Sequence, residues 1–269
     1  MLLSKYTQAA VDIAQKAGDY ILAREQSGFT VEEKFSSYDY VTDVDTGCEA
    51  IIKESLHALF PDHGFAGEES GMDEGEMKRR LTHMGEDEYC WVVDPLDGTI
   101  NFIHHLGGYA VSIALLHHNE VISAAIYLPT LGEMFSAQKD AGAWLNGKPI
   151  KVSGVSRMQD AMVSIGVPAT NMDYRREMAE QFPKVSMESF NLRILGSAAA
   201  TIAYVACGKL DAYIELGHHP WDIAAGILLV QEAGGQLSNH KGEPLSIADP
   251  YLLASNGLIH QDLVRILGK

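Results

Sequence analysis

The stretch Cys90-Trp-Val-Val-Asp-Pro-Leu-Asp-Gly-Thr-Ile-Asn-Phe102 decides most about the fold of this chain and the place of its chemistry. Its apolar beginning predicts a buried strand, which ends abruptly at two carboxylates, a proline, a glycine and a hydroxyl. Asp94 and Asp97 at the end of a buried strand would repel each other unless a cation lay between them. The pattern therefore indicates a metal site, with Mg²⁺ as the expected ion.

The backbone of this turn suits both a cation and an anion. Pro95 biases Asp94 toward extended backbone and Gly98 tolerates positive φ, so the chain can turn sharply with the Leu96 carbonyl exposed as a ligand. If Thr99 opens a helical turn, the amides of Gly98 and Thr99 would face a phosphate. A plain Asp-Gly turn capped by Thr99 explains the same residues without any ligand.

Two further acidic residues favour a larger carboxylate cluster. Glu68 follows a short apolar segment and would lie at the end of another strand. Asp222 would lie in the first turn of an apolar helix, where the helix dipole favours negative charge. Each has an ordinary interpretation, as a solvated or a capping acid. Together with Asp94 and Asp97 they indicate one metal site built from separate segments.

Length and charge limit the class of protein. A chain of 269 residues is long for one ordinary domain and short for two independent ones, so we expect two fused halves, residues 1–140 and 141–269. The formal net charge of −16 leaves no basic stripe, so no nucleic acid surface is expected. Bound divalent cations would reverse the local sign of the field and let so acidic a protein bind a phosphate.

The sequence contains no pattern for membrane insertion or disulfide bonding. Its start lacks a basic segment followed by an apolar core, and no apolar run has the length of a membrane span, which predicts a soluble, cytoplasmic protein. Cys48, Cys90 and Cys207 are odd in number and widely spaced, so free thiols are expected.

Hydrophobic periodicity predicts alternating helices and strands. Successive strand patterns at residues 89–93, 109–117, 121–128 and 133–137 indicate a mostly antiparallel sheet, and the acidic stretch 68–76 is predicted to be a loop. Asn146-Gly147 predicts a hairpin within residues 143–152. The other predicted elements are helices at 6–21, 48–59, 174–182, 197–207, 221–233 and 258–267 and extended segments at 29–34, 38–42, 162–167 and 211–215.

In order and spacing, these residues resemble the signatures of the inositol monophosphatase family. These Mg²⁺-dependent, lithium-sensitive phosphatases belong to a superfamily with fructose-1,6-bisphosphatase-like and 3′-phosphoadenosine 5′-phosphate phosphatases. The resemblance runs essentially end to end and rests on Gly67-Glu-Glu-Ser70, on the stretch 91–102 and on Trp221-Asp-Ile-Ala-Ala-Gly226. It implies a layered αβαβα sandwich, in which an antiparallel-sheet half and a C-terminal α/β half meet at the site. It also implies a homodimer.

The resemblance implies a role for each site residue. Two or three Mg²⁺ ions would be bound by Glu68, Asp94, the Leu96 carbonyl, Asp97 and Asp222. Glu68, Thr99 and Asp45 would hold the attacking water, without a phosphoenzyme. Lys34 would contact residues that hold a metal ion or the phosphate, rather than binding either directly. A phosphorylated polyol or sugar, inositol monophosphate above all, would contact Gly98, Thr99, Gly196, Ser197, Ala198, Glu215 and His219.

Several alternatives remain open. A phosphatase of the haloacid dehalogenase type, with a nucleophilic aspartate, is disfavoured because Asp94 and Asp97 are three positions apart. Glu215 favours a polyol, but Val167 stands where inositol-cleaving relatives often carry serine. Fructose 1,6-bisphosphate, NADP and 3′-phosphoadenosine 5′-phosphate therefore remain alternative substrates. A regulatory protein is the alternative from another class, because some family members act in transcription and RNA processing.

Three histidine pairs could suggest zinc. Adjacent residues on a strand point to opposite faces, so ordinary surface or helix-end histidines are the preferred interpretation. His219 is the exception, because the resemblance implies that it lines the substrate pocket. The pairs are His104-His105, His117-His118 and His218-His219.

Overall fold

Five alternating layers of helices and sheets build the fold. The computed structural model describes residues 3–34, 40–71, 74–85, 88–168 and 171–268. The helices are α1 (Lys5–Ser27), α2 (Asp43–Leu59), α3 (Glu74–Thr82), α4 (Thr99–Ile103), α5 (Met172–Glu188), α6 (Ala198–Ala206), α7 (Pro220–Glu232) and α8 (His260–Leu267), with 3₁₀ turns at Glu68–Ser70 and Met158–Asp160. The strands are β1 (Val31–Glu33), β2 (Tyr40–Thr42), β3 (Gly64–Gly67), β4 (Tyr89–Asp97), β5 (Ala110–His117), β6 (Glu120–Leu128), β7 (Glu133–Gln138), β8 (Gly142–Leu145), β9 (Lys148–Pro149), β10 (Met162–Ile165), β11 (Asn191–Arg193), β12 (Ala212–Leu216), β13 (Gln236–Ser238) and β14 (Tyr251–Ser255).

The first sheet has seven strands in the order β3-β4-β5-β6-β7-β8-β9. Only the β3–β4 pair is parallel, which confirms the predicted antiparallel sheet. In β4, Trp91 and Val93 pack toward α1 and α2, whereas Cys90 and Val92 pack toward α6 and α7. The strand is buried on both faces, which is why its sequence is continuously apolar rather than alternating.

The second sheet has five strands in the order β11-β10-β12-β14-β13. One of its faces contributes to the core that contains α6 and α7, and the other packs with α5 and α8. The layers therefore run α1/α2, first sheet, α6/α7, second sheet, α5/α8. The expected αβαβα sandwich is confirmed.

The hairpin prediction is confirmed, and one loop prediction is wrong. Asn146 (φ 49°) and Gly147 (φ 74°) join β8 to β9 with the positive φ angles of a tight hairpin turn. Part of the stretch predicted as an acidic loop forms α3, because Met77 and Leu81, one helical turn apart, are fully buried. Residues 38 and 39 of a predicted extended segment lie outside the described ranges.

The first sheet continues past residue 140. Strands β8 and β9 follow the proposed boundary in sequence but extend the seven-stranded sheet, and the second sheet starts only at β10. The division into residues 1–140 and 141–269 stays a prediction. All three cysteines are free: Cys48 and Cys90 are buried and Cys207 is half-buried, as expected. No helix among the described residues is long and apolar enough to cross a bilayer.

Candidate active site

Three carboxylates converge where β4 ends and α7 begins. Asp94 and Asp97 flank a register shift in the pairing of β4 with β5, and Asp222 is the third residue of α7. One carboxylate oxygen from each residue lies within 4.8 Å of the others. Asp94 and Asp97 are thus joined by Asp222, which lies more than a hundred positions later in the chain.

The electrostatics of this group fit a divalent cation. Burial raises the pKa of Asp94 well above its usual range, and the charges of Glu68, Asp97 and Asp222 raise it further. Burial also raises the pKa of Asp222, and it raises that of Asp97 to about 6. Crowded carboxylates resist ionisation in this way until a positive charge compensates them, and hard oxygen donors are the ligands that Mg²⁺ prefers. The donor set therefore fits Mg²⁺.

The beginning of α6 holds Asp97. Its Oδ2 accepts hydrogen bonds from the Ser197 hydroxyl and the Ala199 N–H (2.7 Å), and its Oδ1 accepts one from the Ala198 N–H (3.3 Å). The positive end of the helix dipole favours a carboxylate at this position. Ser197 and Ala198 thus contact a candidate metal ligand, and their expected contact with substrate stays a prediction.

Two glycines allow the turn between β4 and α4 and the loop before α6 to approach each other. Gly98 has φ 93°, and a Cβ there would lie 3.2 Å from the Gly196 carbonyl oxygen and from the Cβ of Ser197. Gly196 in turn has φ 76° and packs on Asn101, whose amide donates to the Leu195 carbonyl (2.8 Å). Sequence reasoning did not single out Asn101 as the residue that ties α4 to this loop.

Asp45 and Thr99 form a hydrogen-bonded pair beside the carboxylates. The Thr99 hydroxyl lies 3.0 Å from Asp45 Oδ1 and 3.0 Å from the Leu96 carbonyl oxygen. Asp45 is fixed because Oδ2 accepts the Thr42 amide (2.8 Å) and hydroxyl, in a capping box that begins α2. Burial raises the pKa of Asp45 to about 6, although these hydrogen bonds act to lower it. The carboxylate is therefore ionised, and able to accept, above that pH.

Glu68 lies at the beginning of the 3₁₀ turn after β3, outside the group of three carboxylates. Lys34 Nζ donates to Glu68 Oε1 (2.9 Å) and to Glu69 Oε1. Burial alone would lower the pKa of Lys34, but the charges of Glu68 and Glu69 raise it overall. Burial and the charge of Glu68 raise the pKa of Glu69 to about 7. Lys34 therefore neutralises a second acidic pair next to the cluster.

Glu49 supports this turn and was missed by sequence reasoning. Its side chain is buried, and Oε2 accepts the Glu69 N–H (2.8 Å). It packs so closely on Gly67 that a Cβ there would lie 2.2 Å from the same oxygen. A sequence signal existed, because Glu49 comes one helical turn after Asp45 and so shares its face of α2.

Glu215 is half-buried near Asp97 and Asp222, and its Oε2 atom is inaccessible to solvent. Burial raises its pKa to about 8, while a hydrogen bond from Tyr213 opposes that rise. Among the described residues, its Oε2 has no hydrogen-bond partner. Gly166 makes room for the pair, because a Cβ there would lie 2.7 Å from both Glu215 Oε1 and the Tyr213 hydroxyl. Val167, next in the chain, is 37% exposed.

His219 belongs to the same site. The His219 N–H donates to Asp222 Oδ2 (2.7 Å), and its ring stacks on Trp221 with centroids 4.7 Å apart. His218 is buried, and burial lowers its pKa to about 3. Within the described ranges, the one group of three metal-ligating side chains contains no histidine.

Comparisons with known proteins show the family of this chain. The model of the inositol monophosphatase family matches residues 2–268. Inositol monophosphatase of Dictyostelium discoideum is 36% identical over 98% of this chain and 96% of its own length. Fructose-1,6-bisphosphatase/inositol-1-monophosphatase of Thermotoga maritima is 31% identical over 97% and 94%. The crystal structure of the extragenic suppressor protein suhB of Bartonella henselae superposes with a TM-score of 0.89 at 33% identity, covering 99% of each chain. The chain therefore belongs to the inositol monophosphatase family and is a phosphatase of that type.

Proposed function

We propose that the chain is a Mg²⁺-dependent phosphomonoesterase that hydrolyses myo-inositol 1-phosphate to inositol and phosphate. The observation that carries the proposal is the group of Asp94, Asp97 and Asp222, with carboxylate oxygens within 4.8 Å of each other. The pKa of all three carboxylates is raised, first by burial. Such a group favours a cation over any other neighbour. The Asp45–Thr99 pair, which would orient the water, and half-buried Glu215, which would contact the alcohol, lie beside it.

The residues that would hold two or three Mg²⁺ ions are Glu68, Asp94, Asp97, Asp222 and the Leu96 carbonyl. When bound, Mg²⁺ supplies Lewis acidity and neutralises the charge of the phosphate and the leaving oxygen. Lys34 keeps Glu68 close to the other acids through its ion pair with it (2.9 Å). The beginning of α6 holds Asp97 in one orientation through three hydrogen bonds.

Asp45 and Thr99 orient the attacking water. The Thr99 hydroxyl has one proton, and donating it to ionised Asp45 leaves its lone pairs free to accept an O–H from water. The oxygen lone pair of that water is then directed at phosphorus, so that the new P–O bond forms as the ester P–O bond breaks. The Gly98 and Thr99 amides would donate to the phosphate oxygens. Because water attacks directly, no residue becomes phosphorylated.

The alcohol is selected by the side of the site that carries Glu215. With its pKa raised to about 8 by burial, Glu215 is mostly protonated near neutral pH. It can therefore donate to one substrate hydroxyl and accept from another, which favours a polyol. The remaining substrate contacts would come from His219 and from the loop formed by Gly196, Ser197 and Ala198. Val167 presents an apolar side chain instead of a hydroxyl, which makes this edge tolerant of other sugar phosphates.

Phosphate release tests the proposal. The purified protein is assayed with myo-inositol 1-phosphate, fructose 1,6-bisphosphate, NADP and 3′-phosphoadenosine 5′-phosphate, with and without Mg²⁺ and Li⁺. We expect Mg²⁺-dependent, Li⁺-inhibited release, with the highest kcat/KM for the inositol ester. Turnover in ¹⁸O-labelled water should place the label in phosphate and leave the mass of the protein unchanged. A mass increase on Asp94 during turnover would instead support a covalent mechanism.

The regulatory alternative has a separate test. The likeness to a suhB protein, whose name refers to suppression rather than catalysis, is the observation that favours it. If no ester releases phosphate and Asp97→Asn leaves the cellular phenotype intact, the chain acts by binding. We also propose that the chain works in the cytoplasm as a homodimer, which sedimentation and cell fractionation would check.

A further inference from the structure

The side-chain amide of Asn101 joins three segments of the chain. Asn101 is a half-buried residue of α4, the helix that follows the turn of Asp97 and Gly98. Its Nδ2 group donates to the Leu195 carbonyl oxygen (2.8 Å) and to the Gly108 carbonyl oxygen (3.0 Å). An amide nitrogen has two hydrogens, so both are used. Asn101 therefore ties α4 to the loop before β5 and to the loop before α6.

Both of these loops lead directly to residues that contact Asp97. Gly108 is two residues before Ala110, which is the partner of Asp97 in the pairing of β4 with β5. The other loop ends at Ser197, which begins α6 and donates its hydroxyl to Asp97 Oδ2. One side chain, that of Asn101, thus holds the strand partner of this carboxylate and the helix end that binds it.

The amide of Asn101 also packs directly on the loop before α6. A Cβ at Gly196 would lie 2.9 Å from Asn101 Oδ1 and 3.1 Å from Nδ2, so the loop backbone and the amide are in close contact. A Cβ at Gly108 would lie 3.6 Å from Nδ2. The contact therefore depends on the shape of the asparagine as well as on its two donors.

The turn that carries Asp97 needs such support. Helix α4 has five residues, and a helix of that length is not stable by itself, so its orientation is set by tertiary contacts. Like charges of neighbouring carboxylates also repel each other, and Asp97 lies within 4.8 Å of oxygens of Asp94 and Asp222. A fixed backbone on both of its neighbours keeps Asp97 in place against that repulsion.

We propose that Asn101 is a positioning residue of this phosphatase: through two carbonyl groups it fixes the loops that hold Asp97 in the orientation in which Asp97 ligates Mg²⁺. The identity of the ion rests on the proposed function. The connection from Asn101 to Asp97 does not, because it consists of contacts within the chain. Asn101 acts through these loops and not by contact with the substrate.

Two variants and a matched control test the proposal on the full-length protein. Asn101→Ala removes the amide, and Asn101→Asp keeps its shape but removes both donors. Asn256→Ala is the control, because the Asn256 amide also donates to two neighbours, the Val155 carbonyl oxygen (2.7 Å) and Ser153 Oγ (2.8 Å). These contacts lie at the beginning of β12, in the second sheet.

The first measurement is hydrogen exchange of the Ala199 N–H in EDTA, without metal or substrate. This N–H donates to Asp97 (2.7 Å), and the Ile113 N–H in the core strand β5 serves as the reference for global unfolding. In both Asn101 variants, exchange at Ala199 should accelerate on the order of tenfold more than exchange at Ile113. In Asn256→Ala, it should accelerate no more than at Ile113.

The second measurement is Mg²⁺ binding by calorimetry, together with phosphate release at varied Mg²⁺. Residues that orient a metal ligand typically change metal affinity by about 10-fold or more when they are replaced. Both Asn101 variants should therefore bind Mg²⁺ on the order of tenfold more weakly and need correspondingly more Mg²⁺ for half-maximal release. The kcat at saturating Mg²⁺ should fall less than this, and Asn256→Ala should keep the affinity of the wild type.

Several results would overturn the proposal. Unchanged exchange at Ala199 in both Asn101 variants would refute the connection to Asp97 even in an active enzyme. Unchanged Mg²⁺ affinity would refute the positioning role, and a loss in Asn101→Ala that is absent in Asn101→Asp would refute the two hydrogen bonds. If Asn101→Ala does not fold, Asn101→Asp decides by the same measurements. A wild type that neither binds Mg²⁺ nor releases phosphate would instead refute the proposed function.

Discussion

The raised pKa of Asp97 predicts the direction in which the stability of the fold changes with pH. In the fold its pKa is raised from 3.8 to about 6, first by burial, so the native state binds a proton more tightly than the unfolded chain. Its stabilising contribution is complete below pH 3.8 and is lost as the pH rises through about 6. Between about pH 5 and about pH 8, the loss is on the order of 1 kcal/mol.

Urea unfolding in EDTA measures this contribution by comparing wild type with Asp97→Asn. Asparagine does not titrate, so on going from about pH 8 to about pH 5 the wild type should gain on the order of 1 kcal/mol relative to the variant. The comparison is needed because burial lowers the pKa of His218 to about 3 and of His260 to about 4, and these groups act in the opposite direction. Asp12→Asn, at an exposed position, is the matched control and should change nothing.

Two results would refute the reasoning. If the stability difference between wild type and Asp97→Asn is the same at both pH values, Asp97 is not held among competing carboxylates. Adding Mg²⁺ at the higher pH should stabilise the wild type more than the variant, because a ligand of the native state shifts unfolding by mass action. An equal Mg²⁺ effect on both proteins would mean that Asp97 does not bind the ion.

Three further substitutions test the site. Glu68→Gln should lower kcat by on the order of 10³-fold in phosphate release while the circular dichroism spectrum stays native, and a small loss would remove Glu68 from the catalytic group. Glu49→Ala leaves the Glu69 amide without its acceptor and should cost about 1.5–3 kcal/mol in urea unfolding and weaken Mg²⁺ binding in calorimetry. Glu49→Gln keeps an acceptor and should retain most of the stability and most of the Mg²⁺ affinity. Equal losses in Glu49→Ala and Glu49→Gln would therefore contradict a positioning role. Gly166→Ala inserts a Cβ 2.7 Å from Glu215 Oε1 and should cost about 1–3 kcal/mol and raise KM for inositol phosphate, whereas Gly154→Ala, with open space around its Cβ, should do neither.

Long segments with a clear hydrophobic period were predictable from the sequence. Each is buried along one face or along both faces, so a pattern of neighbouring residues is enough to identify it. The first sheet, the hairpin at Asn146-Gly147 and the helices that flank them follow from patterns of a few residues. Helix α3 was missed because its charged residues outnumber Met77 and Leu81, whose burial depends on distant parts of the chain. The short strands β11, β13 and β14 were missed for a similar reason, since strand pairing across the second sheet is not a local property.

For the site, residue types were predictable and their contacts were not. The sequence indicated Glu68, Asp94, Asp97 and Asp222 as one cluster. The structure brings carboxylate oxygens of the last three within 4.8 Å of one another and leaves Glu68 outside that group. The contact of Asp97 with α6 and the support of Glu69 by Glu49 involve residues 102 and 20 positions apart. No spacing rule connects such residues, because tertiary packing alone sets the distance between them.

The sequence by itself determined the turn after β4, because proline, glycine and a capping hydroxyl restrict the backbone locally whatever surrounds them. It also determined which faces of the long helices α1 and α2 are buried. Only the tertiary structure decided that α7 brings Asp222 to that turn and that α6 holds Asp97. The raised pKa values of these acids arise from burial and mutual proximity. Both are properties of the packed chain, and they convert separate carboxylates into a group that could hold a metal ion.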